Sequence, residues 1–189
     1  MQSTEPNPGL YQSLQEDLRI QKAVNVGVLT MLTHLRRSSF LAILLHRLSA
    51  ACYRKGGLGK IGAILFARLN LFINNCDIQA GAEIGPGFLM SHPVGIVIGA
   101  AKVGRHVTMQ QHVTLGTKGF DGDENATSSY PVIGDDVKIS VGAAILGNIK
   151  IGKGAIIGAN AVVLQDVPEG CTAVGVPARI LEKRKELVI

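Results

Sequence analysis

Along the second half of the chain the apolar positions return at an interval of six, at Ile133, Ile139, Ile145, Ile151, Ile157 and Val163, with Gly134, Gly152 and Gly158 following three of them. Six matches neither the turn of a helix nor the unequal strands of hairpin sheets. It matches a solenoid in which each unit is one short strand and a corner, the apolar residue turned inward at the corner and the small residue after it letting the backbone bend. The same interval runs upstream through Ile78, Ile84, Met90 and Ile96, slips by one residue, and resumes at Val103, Met109 and Leu115. Small or β-branched residues stand four places on, at Ala82, Val107, Val113, Val137, Ala143, Ala155 and Ala161, as a narrow second inward position requires. With three units to a triangular coil, the two runs predict roughly five coils of about 18 residues, with strands about 4.8 Å apart. Between them Gly116 to Pro131 has no apolar period and many turn formers, which predicts a projecting loop.

The first third has a different rhythm. Leu41, Leu44, Leu45, Leu48, Ala51 and Cys52 fall at helical spacing, as do Ile61, Leu65, Leu69 and Phe72, and Gly56, Gly57 and Gly59 part the two runs. A more polar helix is expected over roughly residues 10–22 and another over 26–35. The chain therefore divides into a helical domain at 1–75, a solenoid domain at 76–181 with its loop at 116–131, and a tail at 182–189.

Composition fits thin coils: 23 of 189 residues are Gly, there is no Trp, and aromatic residues make up 4%. Cys52, Cys76 and Cys171 are scattered, without metal-ligand spacing, which points to buried thiols in a reduced cytoplasmic setting. The polar N-terminal stretch carries no secretory signal pattern. Charge is uneven, with nine Lys and Arg against three Asp and Glu in residues 1–75 and ten against eleven in the remainder. Without aromatic interleaving or a binding motif, the basic excess does not indicate a nucleic-acid partner. Arg36, Arg37, Arg47, Arg54, Lys55, Lys60 and Arg68 accompany apolar faces, which suits peripheral contact with an anionic membrane or packing against the solenoid or another subunit. Charges interrupt every apolar run before the ~20 residues of a membrane span.

Of the five histidines, His34 and His46 fall on predicted helices and His106 and His112 take the fourth place of their units, on different faces. No convergent metal site is expected from them. His92 differs, because Met90-Ser91-His92-Pro93-Val94-Gly95 is a unit whose corner residues are unusual. A neutral imidazole there, oriented by a carboxylate, is able to take a proton from a hydroxyl. Asp77, 15 residues earlier, is the candidate partner, one coil below and three residues round the prism.

Asp77-Ile78-Gln79-Ala80, Ile84-Gly85-Pro86-Gly87, Ser91 through Gly99, Gln111 through Gly116, Ile145 through Ile149 and Val174 through Arg179 together resemble the serine acetyltransferase branch of the hexapeptide acyltransferases over about residues 76–181. The resemblance implies a left-handed parallel β-helix, an exception to the right-handed crossover rule, a homotrimer, and acetyl-CoA bound between neighbouring prisms. It implies His92 as general base with Asp77 as its partner, an oxyanion received by backbone N–H groups at Gly116 and Thr117, and a pantetheine arm running past Val141 and Ala159. Serine-specific members carry Asp before the catalytic His, and an Arg-His pair before the Pro that ends the loop; here Ser91, Ser129 and Tyr130 hold those acceptor-facing positions. An α-carboxylate without its cation loses roughly 1.5–3 kcal/mol. Lys118 or Arg105 would have to substitute, while Asp121, Asp123, Glu124 and the hydroxyls at Thr127 and Ser128 suit a neutral polyol.

The short helical extension also resembles acetyltransferases of exopolysaccharide and colanic-acid biosynthesis. The expectation is therefore an acetyl-CoA-dependent O-acetyltransferase acting on a saccharide intermediate, with serine O-acetylation in cysteine biosynthesis as the alternative. The longer helical domain of cysteine-pathway members pairs trimers; the short one here leaves that pairing open. The terminal Ile189 matches the residue that a synthase partner captures in that pathway.

Overall fold

The computed structural model describes residues 9–20, 27–118 and 129–182. Four helices lead the chain: α1 (Leu10–Ile20), α2 (Val28–His34), α3 (Ser38–Lys55) and α4 (Gly59–Asn74). Asn75 ends α4 in the left-handed region at φ 50°, its N–H bonded to the Leu71 carbonyl, and the chain turns directly into the prism.

The prism has three faces of parallel strands. The first stacks β1 (Asp77–Ile78), β4 (Val97–Ile98), β7 (Thr114–Gly116), β10 (Ala144–Leu146) and β13 (Val162–Val163). The second stacks β2 (Glu83–Ile84), β5 (Lys102–Val103), β8 (Val132–Ile133) and β11 (Lys150–Ile151). The third stacks β3 (Leu89–Met90), β6 (Thr108–Met109), β9 (Lys138–Ile139), β12 (Ile156–Ile157) and β14 (Thr172–Val174), closed by an antiparallel β15 (Arg179–Leu181). This is the left-handed parallel β-helix with a helical N-terminal part that the resemblance implied.

The inward residue is the second of each strand, not the corner residue. Ile78, Ile84, Met90, Ile98, Val103, Met109, Leu115, Ile133, Ile139, Ile145, Ile151, Ile157 and Val163 are all buried at 6% exposure or less. Each gains roughly 1.5–3 kcal/mol by leaving water, so the interval of six is the core itself. The narrow second position is filled as expected, with Val107, Val113, Val137, Ala143, Ala155 and Ala161 fully buried.

The one-residue slip after Ile96 resolves into two opposite irregularities. Ile96 is buried but is not the strand's inward residue; Ile98 is. Eight residues thus separate inward Met90 from Ile98, and five separate Ile98 from Val103. The corner between β3 and β4 is longer than the usual unit, and the next is shorter.

α1 and α3 are fastened to the first coil by an internal charge pair. Arg47 donates through Nε (3.1 Å) and Nη2 (3.0 Å) to the two carboxylate oxygens of Asp17, and also to the carbonyls of Ile84 and Gly85. Asp17 in turn accepts from the Phe88 N–H at 2.9 Å. Arg47 therefore does not belong to an outward basic face: its guanidinium is spent inside, where an unpaired charge would be costly. Around the pair, Leu14 and Leu18 pack on Phe40.

α4 turns Ile61, Leu65 and Phe72 to solvent in the single chain, and Leu58 just ahead of it is exposed as well. No single described helix is long and apolar enough to cross a membrane; α2 and α3 meet that test only as a pair bent by 115°.

Candidate active site

The lengthened corner carries Ser91, His92, Pro93, Val94 and Gly95, and its shape is held from three sides. The Ser39 hydroxyl of α3 donates to the Ser91 carbonyl at 3.0 Å. The Gly95 N–H donates to the Asn75 carbonyl at 2.8 Å, and the Ile96 N–H closes a turn on the Pro93 carbonyl at 3.2 Å. Gly95 sits at φ +69°, a conformation costly to any residue with a Cβ. Inside this frame His92 is exposed, while Pro93 beside it is buried.

Asp77 opens β1 and pairs in register with Val97 of β4, directly below the strand that leaves the His92 corner. Its side chain is on the outward, exposed side, since Ile78 takes the inward position. Asp77 and His92 therefore flank one corner of the first coil, and no hydrogen bond or ion pair joins them among the described residues. Next to Asp77, the buried Cys76 thiol is pushed up to about 12 by burial and then by the Asp77 charge, so it stays protonated and is no nucleophile.

The same prism edge continues past Val141 and Ala159, the positions expected to face the acetyl donor. The His112 N–H bonds to the Val94 carbonyl, Gly142 to that of Gln111, and Asn160 to that of Val141, at 3.0, 3.0 and 2.8 Å. Val141 and Ala159 are thus stacked above the His92 corner on one edge. Val141 is further fixed by the Gln110 side-chain oxygen, which accepts its N–H at 3.0 Å. Exposed Ala159 and half-buried Val141 leave that edge low.

Gly116 and Thr117 stand elsewhere. They end β7 at the far edge of the first face, and five residues of extended chain, roughly 16 Å, separate Thr117 from His112. Within one chain their N–H groups do not reach His92. Tyr130 also lies at that far edge: it is 8% exposed, and its ring packs over Gly99, where a Cβ would come within 2.0 Å of Cε1. Ser129 beside it is half-buried. Asp121, Asp123, Glu124, Thr127 and Ser128 fall outside the described residues, as does Ile189.

His112 is the residue that sequence reading set aside and the fold returns to the His92 edge. Its backbone is left-handed at φ +58°, and its ring lies on Gly95, where a Cβ would meet Nδ1 at 2.2 Å. Gly95 and His112 are 17 residues apart, nearly one coil, which was the available signal. His106 is instead at another edge, with Glu16 3.8 Å from Nε2 and Asp136 3.6 Å from Nδ1. Among the described residues no group of three or more His, Cys, Asp or Glu side chains is placed to hold a metal ion.

Residues 130–165 match the bacterial transferase hexapeptide (six repeats) family. The chain is 37% identical over 176 residues to a serine acetyltransferase of Bacillus licheniformis, covering 90% of this chain and 77% of that protein. It superposes on a serine acetyltransferase solved in complex with cysteine at a TM-score of 0.81 and 34% identity, covering 93% of this chain and 71% of the other. A serine acetyltransferase solved in complex with CoA gives 0.78 and 35%, over 93% and 71%.

These matches overturn the saccharide expectation and the supposed closeness to exopolysaccharide and colanic-acid enzymes. The similarity to serine acetyltransferases spans nine-tenths of the chain, so it takes in the helices that had suggested the other group. Of the three positions expected to face the acceptor, Ser91 lies on the His92 corner, Ser129 is half-buried at the far edge, and Tyr130 beside it is buried with its ring over Gly99.

Proposed function

This chain belongs to the serine acetyltransferase family of hexapeptide-repeat transferases, and on that footing we propose that it moves the acetyl group of acetyl-CoA onto the hydroxyl of serine. The observation that carries the reading is the exposed imidazole of His92 at the lengthened corner between β3 and β4, at the foot of the edge that runs past Val141 and Ala159.

His92 takes the hydroxyl proton as the serine oxygen attacks the thioester carbonyl carbon. The tetrahedral intermediate then collapses, the carbon–sulfur bond breaks, and the imidazolium returns the proton to the leaving CoA thiolate. The products are the serine ester and free CoA thiol. Asp77 is the partner that orients the ring and offsets its positive charge during the transfer. Because Gly116 and Thr117 stand at the far edge of the face, an oxyanion role for them requires a second copy to bring that edge against His92. A homotrimer of prisms, with CoA in the groove between neighbours, satisfies this requirement and puts Val141 and Ala159 where small side chains leave room for the pantetheine arm.

The test follows CoA thiol release from acetyl-CoA with and without L-serine. Serine-dependent release is expected, falling by about 10²- to 10⁴-fold in His92→Ala with the fold retained by circular dichroism. Release that does not depend on serine, or that is unchanged in the variant, overturns the proposal.

A further inference from the structure

Serine brings a carboxylate with it, and a carboxylate drawn out of water without a positive partner is costly. The prism has three edges, between the first and second, second and third, and third and first faces. His92 stands on the last, between β3 and β4, and Gly116 and Thr117 on the first, between β7 and β8. Neither Ser129 nor the buried Tyr130, which lie with Gly116 and Thr117, offers a cation.

Of the two cations that the sequence puts forward, the fold removes one. Arg105 lies between β5 and β6, on the remaining edge, with its Nη2 3.6 Å from Glu16 of α1. Lys102 and Lys150 open strands on the second face, and Lys102 lies 3.6 Å from Glu83.

Lys118 is placed differently. It follows Thr117 directly, at the edge that a second copy has to bring against His92 for the backbone there to receive an oxyanion. Its stem is laid along Gly147 of the next coil, where a Cβ would meet Lys118 Cβ at 3.1 Å and Cδ at 3.6 Å. Gly147 is fixed on the same edge, its N–H donating to the Gly116 carbonyl at 2.9 Å, and its φ of +94° disfavours any residue with a side chain. The bare glycine lets the stem lie close to the edge. Lys118 is exposed, and among the described residues no carboxylate is within ion-pair reach of it. Its charge is therefore held beside the oxyanion groups and left unspent.

Resting on the serine reading above, we propose that Lys118 of the partner subunit holds the carboxylate of the serine whose hydroxyl meets His92. Lys118 is thus a specificity-determining residue, and each site is completed by two copies of the chain. CoA thiol release is measured on the full chain with L-serine and with L-serinamide, which keeps the hydroxyl and amine but lacks the carboxylate. In Lys118→Gln the KM for serine is expected to rise about tenfold or more, the weight of one charge-assisted contact. The KM for acetyl-CoA stays put, and the preference for serine over serinamide falls by the same factor. Lys118→Arg, which keeps the charge, recovers much of that preference. Co-expressed His92→Ala and Lys118→Gln chains, assayed at limiting serine, are expected to release more CoA than the two assayed apart add up to, because mixed assemblies contain sites with His92 from one copy and Lys118 from the other. A wild type without serine-dependent release overturns the serine reading and this inference with it. A wild type that uses serine while Lys118→Gln keeps its KM and its preference overturns this inference alone. So does a rise in the KM for acetyl-CoA instead, an equal loss with serine and serinamide, or the absence of complementation.

Discussion

Asp17→Ala tests how the helical part is held on the prism. In the folded chain Arg47 is 8% exposed and Asp17 is fully buried, with two guanidinium hydrogen bonds between them at 3.1 and 3.0 Å. Removing one member of a buried pair costs about 3–5 kcal/mol when the other stays buried. α1 has an alternative, since its other ties are modest: Glu16 lies 3.6 Å from Arg105 and 3.8 Å from His106 in a half-exposed setting, Leu14 and Leu18 on Phe40 supply roughly 3–6 kcal/mol of apolar burial, and ordering eleven helical residues opposes much of that. The expected result is therefore local release of α1, which lets water reach Arg47 and caps the global loss. Hydrogen exchange should show Ser13 to Ile20 losing protection while β-helix amides keep theirs. Urea unfolding should show the double variant Asp17→Ala/Arg47→Met less destabilised than the two single losses added. Unchanged α1 protection together with a stability loss below about 1 kcal/mol refutes the clamp.

Three further outcomes follow from the same structure. His46 carries its proton in the unfolded chain below about 6.5 but in the folded chain only below about 3, so folding is weakened as pH falls through that window. Between pH 8 and 5 the loss is about 2 kcal/mol, and His46→Gln should flatten that part of the urea stability profile; an unchanged slope counts against a buried neutral imidazole. Gly99→Ala places a methyl within 2.0 Å of the Tyr130 ring and should cost about 1–3 kcal/mol by overpacking, relieved in Gly99→Ala/Tyr130→Ala; a melting temperature equal to wild type would show the ring to be elsewhere. For catalysis, His112→Ala is expected to leave serine-dependent release far closer to wild type than His92→Ala does, because its ring lies against Gly95; an equal loss would move the base to His112.

Much of the scaffold was readable because a solenoid translates sequence period directly into space: each inward residue covers the one a coil below, so Ile133, Ile151 and their like must recur in step. The helices were readable from their apolar spacing, and their positions changed by only a few residues. The site was legible in part. His92 stood out as a base where an aliphatic filler was due, but the residues stacked above it were hidden, because coils of unequal length spoil simple counting. Placing Ile96 in the inward row concealed that the extra residues belong to the His92 corner. The acceptor was misjudged because departures at Ser91, Ser129 and Tyr130 outweighed a likeness to serine acetyltransferases that spans nine-tenths of the chain.

The sequence alone determined the prism and the helical lead and singled out His92 as the candidate base, since burial period and residue type are local properties of the string. Tertiary structure decided which residues share an edge with His92, that Gly116 and Thr117 do not within one chain, and that Arg47 faces inward to Asp17. Those outcomes depend on where separate coils and helices come to rest against one another, and a charge or a ring shows its role only once its neighbours are in place.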